Sequence, residues 1–212
     1  MNNQLQKLLQ RYPALTVITE ELQSAYGMLE ACCAAGNCVY LCGNGGSASD
    51  CEHIVGELMK SFLLPRGLDG AETERLLAQG AIGQDLARHL QKGLRAVSLT
   101  SAASLTSAIS NDMGSQYVFA QQIFSYGRPG DVLLCISTSG NSQNILYAAA
   151  AARAAGVQVL SLSGRDGGKL KTLSDVCIIC PANTTEEVQE YHLPIYHALC
   201  AALEARFWGE DS

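Results

Sequence analysis

The stretch that decides the fold of this protein is Cys38-Val39-Tyr40-Leu41-Cys42-Gly43-Asn44-Gly45-Gly46-Ser47. Its first five residues are a continuous apolar run, which is typical of a parallel strand covered on both faces. The glycine- and serine-rich residues that follow predict a tight loop, and a helical pattern continues over about 49–62. The stretch therefore predicts one strand–loop–helix unit of a parallel α/β protein.

Similar units recur along the rest of the chain and set the fold class. Apolar runs predict further strands at 96–100, 132–136, 157–162 and 175–179. Helical patterns cover 2–35 with a break at Pro13, 102–110, 115–126, 143–155 and 185–208. Strands alternate with helices and no hairpin signal occurs. We therefore predict a three-layer sandwich with a five-stranded parallel sheet and long helices at both ends of the chain.

One segment departs from this alternation. Residues 63–93 contain several glycines among short clusters of leucine and charged residues. We interpret the segment as a partly helical insertion in a single domain that spans residues 1–212. A chain of 212 residues is long enough to bury one full core without disulfides.

Composition excludes several classes of function. The net charge is −6 and no basic run occurs, so we expect no nucleic-acid partner. No apolar stretch reaches the roughly 18 residues of a membrane span, so no membrane partner is expected. Nine irregularly spaced cysteines do not suggest a disulfide framework, and the N-terminal residues do not resemble a signal peptide. These features predict a cytoplasmic protein.

A second Ser/Gly-rich loop, Ser137-Thr138-Ser139-Gly140-Asn141-Ser142, follows the strand at 132–136. Backbone N–H groups and the dipole of the following helix attract anions at such positions. Hydroxyl groups add donors without adding charge. Either loop alone could be a plain turn with a helix cap. Two of them in one parallel-sheet chain favour a phosphate site.

A nucleotide cofactor is not expected at these loops. Neither loop has the lysine of a P-loop. Gly43, Gly45 and Ala48 fit the looser dinucleotide pattern, but the next strand ends in Leu99-Thr100 without a carboxylate to hold a ribose.

Two helical segments carry candidate acid–base groups. His53 and Glu57 are four residues apart, so they share one helix face. They could act as an acid–base pair or as two metal ligands, or they could be a plain surface pair. On the last helix His197 can border the same site together with Gln189 or Glu190, and helical geometry does not choose between these two. A zinc site of His53, Glu57, Gln189 and His197 is chemically plausible. Such a site would be weak, because glutamine is a poor zinc ligand.

Two further polar positions have less specific interpretations. Asn111-Asp112 ends a predicted helix and is either a plain turn or a contact to a sugar hydroxyl. His192 is interpreted as a structural histidine.

Taken in order, these motifs resemble one known family. They are Cys42–Ser47, His53-x-x-x-Glu57, Asn111-Asp112, Ile136–Ser142, Gly164-x-Asp166-Gly167-Gly168 and Gln189-Glu190-x-His192-x-x-x-x-His197. The set resembles the SIS (sugar isomerase) domain, and within it the phosphoheptose isomerases. The resemblance covers nearly the whole chain except about 61–93. It implies a flavodoxin-like fold and a homotetramer whose subunits share active sites.

The resemblance also implies an activity and a set of site residues. The activity is interconversion of sedoheptulose 7-phosphate and D-glycero-D-manno-heptose 7-phosphate through an enediol. Glu57 and His197 would perform the acid–base chemistry, and in some members zinc is held by the residues that match His53, Glu57, Gln189 and His197. The implied substrate-binding residues are Asn44, Gly45, Gly46, Ser47, Asn111, Asp112, Ser137, Thr138, Ser139, Ser142 and Gln189.

Two departures and three alternatives accompany this hypothesis. The 61–93 segment is longer than expected, and Lys60-Ser61 stands where the family more often has Gly-Arg. The alternatives are a non-catalytic SIS protein that binds a replication initiator, a sugar-phosphate-binding regulator, and an isomerase of another sugar phosphate. Gly46 and His197 are intact, which favours catalysis.

Overall fold

A parallel sheet forms the centre of the computed structural model, which describes residues 2–209. The strands are β1 (Val39–Gly43), β2 (Ala96–Ser98), β3 (Val132–Ile136), β4 (Gln158–Ser163) and β5 (Val176–Ile179). Their order is β2-β1-β3-β4-β5, and all four neighbouring pairs are parallel. Every residue of β1 and β3 is buried, as their apolar sequences require. The predicted five-stranded parallel sheet is confirmed.

Ten α-helices surround the sheet within the described residues. They are α1 (Asn3–Arg11), α2 (Thr19–Ala34), α3 (Gly46–Met59), α4 (Gly70–Leu77), α5 (Gly80–His89), α6 (Ala103–Asp112), α7 (Val118–Tyr126), α8 (Gln143–Ala154), α9 (Leu170–Leu173) and α10 (Thr185–Trp208). Short 3-10 helices occupy Pro13–Ile18 and Ser115–Tyr117. Pro13 divides the N-terminal helical region as expected.

Two helices differ from the sequence-based expectation. Helix α3 begins at Gly46, three residues earlier than expected, because the Ser47 and Ala48 N–H groups already close helical turns onto the carbonyls of Asn44 and Gly45. Helix α9 was not predicted, since four residues are too short to show helical periodicity.

The side chains of the three inner strands, β1, β3 and β4, alternate between two cores. Val39 and Leu41 of β1 face a core built with α1, α2, α3 and α10, whereas Tyr40 and Cys42 face a core built with α7 and α8. Helices therefore cover both faces of the sheet, and the three-layer sandwich is confirmed.

The sheet order places the two Ser/Gly-rich loops side by side. The chain passes from β1 outward to β2 and later returns to β3 on the other side of β1. In open parallel sheets, ligands bind beyond the carboxyl ends of the strands where the order reverses in this way. The loops after β1 and β3 lie at that point.

The 63–93 segment forms a helical hairpin that starts and returns beside α3. Helices α4 and α5 pack against each other, and Asp69 and Glu72 form a capping box at the start of α4. The segment is tied back where the Leu94 N–H donates to the Leu58 carbonyl at 2.9 Å. Among residues 2–209, the structure contains no helix long and apolar enough to cross a membrane.

Candidate active site

A pair of asparagine side chains connects the two Ser/Gly-rich loops. The Asn44 amide donates to Asn144 Oδ1 at 2.9 Å, and the Asn144 amide donates back to Asn44 Oδ1 at 2.8 Å. Asn44 belongs to the loop after β1, and Asn144 lies in the first turn of α8 after the other loop. The reciprocal pair holds the two loops at a fixed spacing. Asn144 was not singled out from sequence, because only the adjacency of β1 and β3 brings it to Asn44.

The loop after β1 leads into the start of α3, which lies beside Gln189 of α10. Gly46 is the first residue of α3, and a Cβ at this position would come within 2.7 Å of Gln189 Nε2. The Gln189 amide therefore lies directly over the loop, whereas Glu190 is exposed. Of the two residues that the sequence left open, Gln189 is the one on the loop side. Gly45 and Gly46 are exposed and Ser47 is buried beneath them.

The loop after β3 is held open by a glycine and by its own hydroxyl groups. Gly140 has a φ of +62°, and a Cβ there would overlap the Gly167 carbonyl. Ser139 Oγ accepts the Asn141 N–H at 3.2 Å, and the Ser137 hydroxyl donates to Ser142 Oγ at 3.4 Å. Thr138, Ser139 and Ser142 are half-buried. The arrangement presents neutral donors beside the N-terminus of α8, which suits an anion.

Three of the predicted catalytic and metal-binding side chains meet between α3 and α10. His53 Nε2 lies 3.2 Å from Glu57 Oε1 and 3.3 Å from His197 Nε2. The His53 and His197 rings cross edge to face with their centroids 4.9 Å apart. The helical spacing of His53 and Glu57 accounts for the first contact. The second joins residues 144 positions apart and depends on the packing of the two helices.

Glu57 occupies a sheltered position in this cluster. Its side chain is 12% exposed, and Oε2 is buried with no hydrogen-bond partner among the described residues. The nearest cation is Lys60 Nζ, 3.8 Å from Oε2. Burial, together with His53, lowers the pKa of His197 below its usual value. A neutral imidazole therefore lies close to a carboxylate that has one free oxygen.

A tyrosine contacts the second ring nitrogen of His53, and an aspartate contacts that tyrosine. The Tyr196 hydroxyl lies 3.0 Å from His53 Nδ1 and 3.3 Å from Asp50 Oδ1. Tyr196 is buried, and burial raises the pKa values of both Tyr196 and Asp50. Sequence reasoning missed both residues. Asp50 lies three residues before His53, which is a local signal, but Tyr196 reaches it only through the packing of α10 on α3.

The potential zinc ligands are only partly assembled. Among residues 2–209, no group of three or more His, Cys, Asp and Glu side chains meets the geometry of a metal site. No hydrogen bond within this range joins Gln189 to His53, Glu57 or His197, because its amide lies over Gly46.

The remaining predicted residues lie elsewhere. Asn111 and Asp112 end α6, where the Asn111 amide donates to Asp112 Oδ1 at 2.8 Å. They line a shallow depression with other residues of α6, and neither loop contributes to its lining. His192 is fully buried beneath the loop after β3, with Nε2 3.5 Å from the Ser163 carbonyl. Burial lowers the pKa of His192 to about 4, which agrees with a structural, neutral histidine.

A groove of about 300 Å³ reaches His197 from the side of α1. Lys7, Arg11, Phe62 and Pro194 line it, and none of the loop residues does. The groove and the two loops are thus separate features: the groove presents the cations Lys7 and Arg11, whereas the loops combine backbone donors with hydroxyls.

Known proteins with similar sequences share one description. The family model of the SIS domain matches residues 78–164. A phosphoheptose isomerase of Helicobacter pylori is 41% identical over 173 residues, which are 82% of this chain and 77% of that protein. A phosphoheptose isomerase of Akkermansia muciniphila is 32% identical over 209 residues, which are 99% of this chain and 97% of that protein.

Solved structures of similar fold agree. A phosphoheptose isomerase of Neisseria gonorrhoeae has a TM-score of 0.73 at 32% identity, and the match covers 95% of this chain and 93% of the other. A phosphoheptose isomerase of Francisella tularensis has a TM-score of 0.75 at 27% identity, and the match covers 93% of each chain. From the order of its motifs, its sheet topology and these relatives, this chain belongs to the phosphoheptose isomerase family of SIS-domain proteins.

Proposed function

We propose that this protein is an aldose–ketose isomerase that interconverts sedoheptulose 7-phosphate and D-glycero-D-manno-heptose 7-phosphate. The observation that carries the proposal is the cluster in which His53 lies within 3.3 Å of both Glu57 and His197. The relatives of this chain are phosphoheptose isomerases. The carboxylate and imidazole supply the two proton-transfer groups that an enediol mechanism needs.

The two loops bind the phosphate of the substrate in this proposal. Asn44, Gly45, Gly46 and Ser47 present the start of α3, and Ser137, Thr138, Ser139 and Ser142 present hydroxyls beside α8. Backbone N–H and hydroxyl donors at the start of a helix can hold an anion without an ion pair. This explains how a chain with a net charge of −6 can select an anionic sugar.

Glu57 moves the carbon-bound proton. Its carboxylate removes a proton from C1 of the ketose, so that the C–H electron pair forms the C1=C2 double bond of the enediol while the π electrons of C2=O move onto O2. The same proton is then returned to C2, which yields the aldose. The Oε2 atom of Glu57 suits this role, because it is buried without a hydrogen-bond partner among the described residues and can accept the proton without breaking a hydrogen bond.

His197 carries the second proton. As C1 and C2 exchange oxidation levels, the hydroxyl proton on O1 must leave and O2 must gain one. A neutral imidazole can take the proton from O1 and deliver a proton to O2. The lowered pKa of His197 keeps its imidazole neutral near pH 7. Atoms and electrons balance within the sugar, so no co-reactant is required. His53 orients the pair, since it contacts both.

Zinc binding at this cluster is a further part of the proposal. His53, Glu57, His197 and Gln189 would hold the ion after Gln189 turned away from Gly46. Imidazole and carboxylate are ligand types that zinc takes, and His53 Nε2 lies 3.2 Å from Glu57 Oε1 and 3.3 Å from His197 Nε2. When bound, the ion would polarise the substrate oxygens. Measurement of bound zinc after chelation and re-addition, in wild type and His53→Ala, tests this part.

Assembly and location complete the proposal. Asn111 and Asp112 lie apart from the His53–Glu57–His197 cluster within one chain. A homotetramer with shared sites would let a neighbouring copy supply them to the sugar. Light scattering after gel filtration measures the mass of the assembly. The cysteines are free, which agrees with a cytoplasmic protein.

The activity is tested by incubating the purified protein with sedoheptulose 7-phosphate and with a panel of pentose and hexose phosphates. We expect turnover of the heptose phosphate that clearly exceeds turnover of the others. Turnover of none of these sugars would contradict the proposal and favour a binding protein. Preferred turnover of a shorter sugar would keep the reaction type and correct the substrate.

A further inference from the structure

The molecule buries one complete ion pair beside the candidate active site. Arg66 Nε donates to Glu204 Oε1 at 2.8 Å, and both side chains are 0% exposed. Arg66 lies at the start of the 63–93 segment, and Glu204 lies on α10 two turns after His197. A separation of seven residues places His197 and Glu204 on the same face of that helix. Neither residue has a role in the mechanism above.

Glu204 organises the backbone that follows α3. Its carboxylate accepts the N–H groups of Phe62, Leu63 and Leu64 at 2.8, 2.7 and 3.0 Å. With Arg66, four donors converge on the two carboxylate oxygens. Three consecutive N–H groups aimed at one carboxylate impose a single backbone path on this segment.

Arg66 extends the same network to the catalytic helix. Nη1 donates to the Leu58 carbonyl at 2.6 Å, and Nη2 donates to the Glu57 carbonyl at 2.7 Å. These carbonyls belong to the last turn of α3, where helical hydrogen bonds are missing. The guanidinium also stacks on Trp208, 4.6 Å from the ring centroid. The backbone of Glu57 is thereby fixed relative to α10.

The ordered segment in turn reaches the second catalytic residue. The Phe62 ring packs against the His197 ring with 5.5 Å between centroids. The N–H of that same Phe62 is bound by Glu204. The ion pair is thus connected to both proposed catalytic residues. Arg66 binds the backbone carbonyl of Glu57, and Glu204 is linked to His197 through Phe62.

We infer that Arg66 and Glu204 are positioning residues that hold Glu57 and His197 in register across α3 and α10. The inference rests on the proposed isomerase function. A buried ion pair is weak evidence of a contribution to stability, because well-packed apolar residues often replace such a pair at no cost. A positioning role accounts for the placement of this pair: Arg66 binds the carbonyl of Glu57, and Glu204 on the helix of His197 binds the N–H of Phe62, whose ring contacts His197.

The test separates positioning from folding. The double variant Arg66→Met/Glu204→Leu removes both charges together, and Phe62→Leu leaves the pair intact but alters the contact with His197. We expect the double variant to melt below wild type, because it leaves the N–H groups of Phe62, Leu63 and Leu64 without their acceptor. We expect Phe62→Leu to melt near wild type. Since misplacement by about 1 Å can cost on the order of 100-fold in rate, we expect kcat to fall about 100-fold in the double variant and about 10-fold in Phe62→Leu. KM should stay within about threefold, because the network does not touch the phosphate loops.

A matched control lies on the same helix. Arg206 pairs with Glu30 at 2.6 Å near the surface, so Arg206→Gln removes an ion pair of α10 that is remote from the network. We expect kcat and KM of this variant to equal those of wild type. If the double variant misfolds, Phe62→Leu decides. Wild-type kcat in a folded double variant or in Phe62→Leu would overturn the inference.

A second readout does not depend on activity. The ring current of Phe62 shifts the carbon-bound proton resonances of the His197 imidazole in NMR spectra. The inference predicts that these resonances move in both the double variant and Phe62→Leu, and that they stay in place in Arg206→Gln. If wild type turns over no heptose phosphate, the proposed function fails and the NMR shifts still test the network. If wild type is active and His197 does not respond, the inference alone fails.

Discussion

The two Ser/Gly-rich loops and the His53–Glu57–His197 cluster are built on different principles. Each loop is continuous in sequence and acquires its donors from one strand end and one helix start. The cluster is discontinuous, because His53 and His197 are 144 positions apart and meet only where α10 packs on α3. The loops consist of neutral donors, whereas the cluster consists of titratable groups. If the proposed roles hold, substrate binding at the loops and proton transfer at the cluster are expected to be separable by mutation.

Glu57→Gln gives the largest expected effect and tests this separation directly. The amide keeps the shape of the side chain but cannot take a proton from carbon. We expect kcat to fall at least about 10³-fold, within the range of general-base catalysis, while KM changes little. Steady-state kinetics with sedoheptulose 7-phosphate measure both constants. Wild-type kcat would remove Glu57 from the mechanism, and a large rise in KM would contradict the separation of the two regions.

Gly140→Ala tests the same separation by altering the loop after β3 instead of the cluster. Alanine is strained at a φ of +62°, and its Cβ would overlap the Gly167 carbonyl. We expect the free energy of unfolding to fall by about 3 kcal/mol and KM to rise. Gly27→Ala is the control, because Gly27 lies within α2 with open space around it. The control should stabilise the protein by about 0.5–1 kcal/mol in urea unfolding.

His192 sharpens the contrast between two histidines of α10. Its pKa is about 4 in the folded protein and near 6.5 when unfolded, so the unfolded state binds more protons between these values. Stability therefore falls as pH decreases through this window, by about 2 kcal/mol between pH 7 and pH 5. Urea unfolding at both pH values measures the loss. His192→Gln should reduce this dependence, and an unchanged dependence would assign the loss to other groups.

Asn144→Ala gives the smallest expected effect. It removes the reciprocal amide pair that spaces the two loops while leaving their backbone donors in place. One or two exposed hydrogen bonds correspond to about 1 kcal/mol, so KM should rise about fivefold with kcat nearly unchanged. Gln143→Ala, one residue away, is the control, since its amide bonds only to Tyr147. A fall in kcat without a change in KM would show that the loops and the cluster are coupled.

Local patterns in the sequence predicted most of the fold. The apolar runs of β1 and β3 and the break at Pro13 are short-range signals, and they were found where expected. The choice between Gln189 and Glu190 could not be made from sequence, because it depends on the rotation of α10 against Gly46. Asn144 was missed because only the adjacency of β1 and β3 brings it to Asn44, and the Tyr196–Asp50 contact was missed because it depends on the packing of α10 on α3. Each is an ordinary residue in the sequence and acquires its role through a partner on another element.

The sequence by itself determined the parallel sheet, the two glycine- and serine-rich loops and the family, since strand patterns, loop residues and motif order are properties of contiguous segments. The tertiary structure alone decided that His197 meets His53, that Gln189 covers Gly46, and that Arg66 and Glu204 join the catalytic helix to the last helix. Those contacts depend on how α10 is rotated and translated against α3. That placement is set by the packing of a whole core and not by any single segment.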